Sequence, residues 1–249
     1  MTTLRIELRR RLEFFTGSDV WTTVSGSQEV PAERCALIIS DMWDRHWSRG
    51  ATERVAAMAP HINQLAHRLR DHGAHIVHAP SETADAYARH PARVGVTELA
   101  RLDPPTPVRL PEPALPIDDS DGGSDTGETE ATAVWTAQHP AIDIDPSDAL
   151  IDDDHTEIYS VLGHRHITTV LLAGVHTNMC VLGRAFGIRT LVGWHVDTVL
   201  VRDLTDAMYN PAMPPHVDHR RGTELVVEHI EKYLCPTTTS TGIHTGATR

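Results

Sequence analysis

Residues 168–187, TTVLLAGVHTNMCVLGRAFG, constrain the fold more than any other stretch of the chain. A short apolar run (Val170, Leu171, Leu172) stops at Gly174, and the chain then turns through His176, Thr177 and Asn178. Val181, Leu182 and Phe186 predict a helix that opens close to Cys180. Strand, tight turn, cysteine, helix presents a thiol at a helix start. First-turn N–H groups and the helix dipole there favour a thiolate, and the same N–H groups can bind an oxyanion as it forms. The competing reading of these residues is a buried structural cysteine, because free cysteine is among the most buried residue types.

The rest of the chain supplies the frame for that motif. Leu4, Ile6 and Leu8 alternate with Arg5, Glu7 and Arg9, so residues 1–33 read as a strand or hairpin flanking the core. CALIIS (residues 35–40) is a continuous apolar run, as expected of a central parallel strand buried on both faces, and it ends in Asp41. Val55, Met58, Ala59, Ile62, Leu65, Ala66 and Leu69 recur at helical spacing over residues 52–72, and Gly73 closes that helix. Further strands are expected at 74–78, 149–151, 170–173 and 196–201. Helices are expected at 81–89 (capped by Ser81), around Ile158 to Leu162, and at 222–234. Strands alternating with helices predict an α/β fold with a central parallel sheet of five or six strands and helices on both faces. In such a fold reactive residues gather at the carboxyl ends of strands, where Asp41, His78, Asp152 and Cys180 all fall. Residues 103–133, rich in Pro, Gly, Ser and Asp, read as a mobile insertion within a single domain spanning 1–235, and residues 236–249 as a flexible tail.

GVHTNMCV resembles the glycine–valine–x–threonine–x–x–cysteine–valine signature of the isochorismatase-like cysteine hydrolases, a superfamily that includes nicotinamidases and N-carbamoylsarcosine amidohydrolases. The resemblance runs from about Cys35 to Tyr233 and implies a three-layer, Rossmann-like fold. It implies hydrolysis of a small amide, ureide or related C–N substrate by Cys180, with Asp41 as acid and base. It also implies a cis Val175–His176 bond, with main-chain groups of His176 and Cys180 forming the oxyanion hole. Trp43, Trp47, His78 and Asp152 are candidate pocket residues. A vinyl-ether hydrolase that uses Asp41 without the cysteine is the alternative chemistry, and an inactive small-molecule-binding relative is the non-enzymatic one.

One family feature is missing. The usual lysine follows the third strand in a pattern like aspartate–x–valine–x–lysine. The local match, residues 148–152 (DALID), ends in an aspartate, and no Lys or Arg lies between Arg109 and Arg165. A carboxylate there would raise the pKa of both Asp41 and Cys180, where a cation lowers them. Either Arg184 or Arg189 folds in, or residues 152–155 (DDDH) belong to a divergent branch and meet a cationic substrate, or the hydrolase is inactive and serves as a binding protein. The divergent branch is the preferred expectation, with Arg184 and Arg189 in ordinary surface or structural pairs.

No cofactor and no metal are expected. Asp44, His46 and His78 are the residues that could form a metal site, but the aspartate–tryptophan–histidine stretch of nicotinamidases is replaced here by HAPSET (residues 78–83). Fourteen Asp or Glu and no Lys or Arg lie between residues 110 and 164, which accounts for the net charge of −12. No basic stripe exists to neutralise phosphates, so a nucleic-acid partner is not expected. Three widely spaced cysteines and the absence of any membrane-length apolar run predict a cytoplasmic protein, and the resemblance implies a small-molecule substrate. The resemblance adds a homo-oligomer.

Overall fold

A computed structural model describes residues 2–246. In chain order its elements are β1 (Thr3–Glu13), β2 (Trp21–Pro31), β3 (Cys35–Ser40), α1 (Arg49–Asp71), β4 (His75–Ala79), α2 (Pro91–Thr97), β5 (Ala149–Leu150), α3 (His155–His164), β6 (Thr169–Val175), α4 (Cys180–Gly183), α5 (Ile188–Gly193), β7 (Asp197–Asp206), α6 (His219–Tyr233), β8 (Thr237–Thr238) and β9 (Ile243–Gly246). The strands lie in one sheet in the order β2-β1-β8-β7-β6-β3-β4-β5, with β9 beside β1. From β8 to β5 all neighbours run parallel.

The apolar runs of β3 and β6 follow from burial on two faces. Cys35, Leu37 and Ile39 join Leu171, Ala173 and Val175 beneath α1, while Ala36 and Ile38 join Val170 and Leu172 beneath α3, α5 and α6. Helix α1 contributes Val55, Ala59, Ile62, Leu65, Ala66 and Leu69 to this core. Each fully buried Ile or Leu there is worth about 1.5–3 kcal/mol. The three-layer α/β architecture is thus the one expected. No helix among the described residues is long and apolar enough to cross a membrane.

The strand count is larger than the five or six expected. The N-terminal hairpin does not merely flank the core but extends its sheet, since Leu4, Ile6 and Val30 continue the apolar face under α1. The chain end corrects the expectation of a flexible tail. Thr237–Thr238 pair with β7 and β1, and Ile243, 1% exposed, sits opposite Ile6 in the β1–β9 ladder. Residues 247–249 of that tail lie outside the described residues. Between residues 81 and 89 there is only a single 3₁₀ turn, Ala84–Tyr87, and Ser81 does not cap it. The Ser81 N–H donates to the Asp41 carboxylate instead.

Residues 103–133 have no regular secondary structure, as expected, yet they are tied to the fold. Arg54 of α1 holds Asp125 through two hydrogen bonds and reaches Asp206 with its Nε. Asn178 donates to Asp119, and Ile117 is buried. Gly123 has φ +76°, and a Cβ there would stand 2.5 Å from the Met208 carbonyl oxygen, so only glycine allows this approach. Asp125→Ala should therefore speed amide-hydrogen exchange across residues 118–126 by at least tenfold while leaving α1 and the sheet protected. Unchanged exchange would mean that Gly123 and Asp119 hold the segment without the Arg54 pairing.

Candidate active site

β3 and β6 are parallel neighbours, with Ser40 opposite Gly174, so the residues that follow them emerge side by side. After β3 comes Asp41, fully buried, with φ +45°. After β6 come the cis Val175–His176 bond and the turn that leads into Cys180. The thiol and the carboxylate are adjacent and perturb each other. Asp41 Oδ1 accepts from Ser81 N–H (2.8 Å), and Oδ2 accepts from Arg184 Nε (3.2 Å).

Arg184, expected in an ordinary surface or structural pair, is the cation beside Asp41. It stands at the C-cap of α4, four residues after the cysteine, and its three nitrogens address Asp41, Asp153 and Glu82. Asp152, a candidate pocket residue, lies in the loop beside Asp153 and Glu82, the partners of Arg184. Its carboxylate accepts from the N–H groups of Glu82 and Asp153, shaping the loop that Arg184 braces. Arg189 does form an ordinary surface pair, with Glu112 (2.5 Å). Only the spacing of Arg184 from Cys180, one helical turn, together with the missing lysine pointed to it in the sequence.

The electrostatics follow from burial. Desolvation raises the Asp41 carboxyl to about 6, against the lowering effects of Arg184, Cys180 and Ser81. Desolvation, and then the Asp41 charge, push the Cys180 thiol up, while Arg184 and the His176 N–H oppose them. This corrects the expectation of a depressed thiol pKa. Helix α4 has only four residues and little dipole to offer, so burial and a neighbouring carboxylate prevail. Above pH 6 the resting pair is thus a protonated thiol beside a carboxylate. The His176 N–H points at the sulfur, and the His176 carbonyl accepts from Met179 and Val181.

The remaining candidates divide. Trp43 is buried, donates through Nε1 to the Ser81 carbonyl, and stacks on Trp135 at 4.2 Å. His46 stacks against Trp135 and meets the His176 ring edge-on at 4.9 Å. Trp43, His46 and Trp135 thus form an aromatic wall beside the strand ends. Trp47 packs against His46 and faces Gly122 of the irregular segment. Trp135 was missed because its partner, Trp43, is 92 positions away along the chain.

His78 is not a pocket residue. It is fully buried, with its ring nitrogens bonded to Gln138 (2.9 Å) and Asp148 (3.0 Å). Asp44 accepts from Thr136 and Ala137, and His46 Nδ1 accepts from Ser48 N–H, so these three do not converge on one point. Among the described residues no group of three or more His, Cys, Asp or Glu is placed to hold a metal ion.

Burial would raise the Asp148 carboxyl, but hydrogen bonds from His78 and Arg70 win and hold it at about 2. A carboxylate depressed on folding stabilises the fold above its unfolded pKa, near 4, and loses that contribution as pH falls toward 2. Asp148→Asn should cost about 2 kcal/mol at pH 7 and flatten the acid limb of stability between pH 4 and 2, as read by urea midpoints across that range. An unchanged limb would remove Asp148 as its cause.

The family model of the isochorismatase domain matches residues 35–211. A cysteine hydrolase from Pseudomonas syringae pv. phaseolicola 1448A superposes with TM-score 0.54 at 16% identity, over 85% of this chain and 91% of that one. An isochorismatase family protein from Burkholderia thailandensis gives 0.51 at 15%, over 84% and 93%. An isochorismatase from Pseudomonas putida KT2440 gives 0.50 at 15%, over 85% and 91%. At these identities the likeness is one of fold. No curated protein matches the sequence.

Proposed function

The chain belongs to the isochorismatase family, and from that premise we propose that it is a cysteine-dependent hydrolase of a small amide, ureide or related C–N substrate. The observation that carries this reading is the juxtaposition of Cys180, the buried Asp41 carboxylate and Arg184 at the ends of β3 and β6. As the sulfur attacks the carbonyl carbon, its proton passes to Asp41 and the S–C bond forms. The oxyanion is held by main-chain N–H groups at Cys180 and in the turn before it. The C–N bond then breaks as Asp41 returns the proton to the leaving nitrogen, which departs as ammonia or an amine. Water, deprotonated by Asp41, attacks the thioester, and the collapse of that adduct releases the acid and restores the thiol.

Arg184 is a positioning residue in this scheme. It never loses its proton, so it orients Asp41 and keeps it charged without joining the proton transfer. The aromatic wall of Trp43, Trp135 and His46 suits a flat substrate. The free thiols of Cys35, Cys180 and Cys235 support a reducing, cytoplasmic setting.

The test is a screen of primary amides and ureides, with acid-quenched samples weighed by mass spectrometry. A hit should give an acyl adduct on Cys180 and a rate that rises with pH through about 6, as Asp41 ionises. Cys180→Ala should lower kcat by at least a thousandfold. Vinyl-ether cleavage is the second reading, favoured by the same raised Asp41 pKa, since a carboxyl near 6 is a serviceable general acid. Turnover of a vinyl ether that survives Cys180→Ser and disappears in Asp41→Asn would select it and end the thioacyl proposal.

A further inference from the structure

The β1–β2 hairpin is longer than the core it joins. On its face toward α1 the base, Leu4, Ile6 and Val30, is covered and Leu8 is half-buried, while Arg10, Thr22 and Gln28 interrupt the apolar residues. Farther out the same face carries Val24 (43% exposed) and Leu12 (50%), and the tip carries Phe14 (77%), Phe15 and Val20. Large side chains left bare together mark a surface that is covered in use. Beside this face β2 is a sheet edge, since among the described residues its one strand partner is β1. It pairs through all eleven residues without a bulge, and none of the usual protections interrupts it: no Lys, and no Pro before the last residue.

We propose that β2 pairs with β2 of a second copy about a two-fold axis at Gly26, joining the two sheets edge to edge. The register follows from the strand itself. Directly opposed residues of an antiparallel pair point to the same face, so the two-fold must pass through a residue. Gly26 is the centre of Trp21–Pro31, and only there do all eleven positions find a partner. In that register the strand's single charge, Glu29, faces Thr23, and Ser25 faces Ser27, so no like charges meet. Val20 and Trp21 at each hairpin tip come to lie beside Pro31 and Ala32 at the base of the other, while Leu12, Phe14 and Phe15 stay outside the strand pairing. A foreign strand would need this neutrality and length by chance, whereas a second copy has both by identity. The hairpin lies outside the matched family domain, residues 35–211, and the interface does not depend on the proposed chemistry.

The test is sedimentation of the full chain at micromolar concentration, with substitutions at Gly26. A Cβ added there meets nothing within 4 Å, so the hairpin has room for a side chain at this position. Wild type should sediment at twice the mass of one chain, and Gly26→Glu, which sets two carboxylates against each other at the axis, as a single chain with unchanged melting. Gly26→Cys should form an intermolecular disulfide under mild oxidation at least tenfold faster than Thr22→Cys, whose symmetry mates stand about 27 Å apart in this register. A monomeric wild type would overturn the proposal, as would a dimer that Gly26→Glu leaves intact, or equal crosslinking at positions 22 and 26.

Discussion

Arg184→Met should lower kcat/KM by a hundredfold or more at pH 7 and move the acid limb of the rate profile upward from about 6 by roughly one to two pH units. The direction follows from the cation's effect on its neighbours. Arg184 opposes the desolvation that raises Asp41, and it also lowers the Cys180 thiol. Without it the buried carboxyl holds its proton to higher pH, so less of the enzyme carries the base, and the thiol becomes still harder to ionise. Arg184→Lys keeps the charge but loses the fork that addresses Asp41, Asp153 and Glu82 together, so it should recover the pH limb more fully than the rate. A residue with a purely structural role would move stability and leave the limb where it is. An unshifted limb in Arg184→Met would therefore remove Arg184 from the site.

Gly174→Ala is the substitution expected to damage the fold most. Gly174 has φ +114°, and an added Cβ would stand 2.1 Å from the carbonyl oxygen of Ser40, its direct partner across the β3–β6 ladder. Backbone cannot swing aside as a side chain can, so the strand ends must separate. Those ends are also tied by Ser40 Oγ donating to the Val175 carbonyl, and Thr205 of β7 ties the Gly174 carbonyl to the next strand. A loss of about 3–5 kcal/mol in denaturant titrations follows from the strained φ and the overpacking together. Activity should fall even at temperatures where the variant remains folded, because the displaced ends carry Asp41 and the Cys180 turn. A cost below 1 kcal/mol would mean that β3 and β6 part freely at this point.

What the sequence determined by itself was whatever repeats over a few residues. The two-sided apolarity of CALIIS and TVLLAGV required buried parallel strands, and the helical spacing from Val55 to Leu69 required a helix against them. Together these place Asp41 and Cys180 at strand ends, and the parallel pairing of β3 with β6 makes those ends neighbours. The tertiary structure decided what depends on distant partners. Arg184 finds Asp41 across 143 positions, and Trp43 meets Trp135 across 92, which no local pattern encodes. His78 has the look of a site residue in the sequence, but Asp148 and Gln138 claim it inside the core. The tail lacks enough apolar residues to predict order, yet Ile243 needs only one vacant place beside Ile6 to settle there. Periodicity is local, so it is legible in the sequence. Ion pairs, stacking partners and sheet edges are contacts between remote segments, and only the packed chain brings those together.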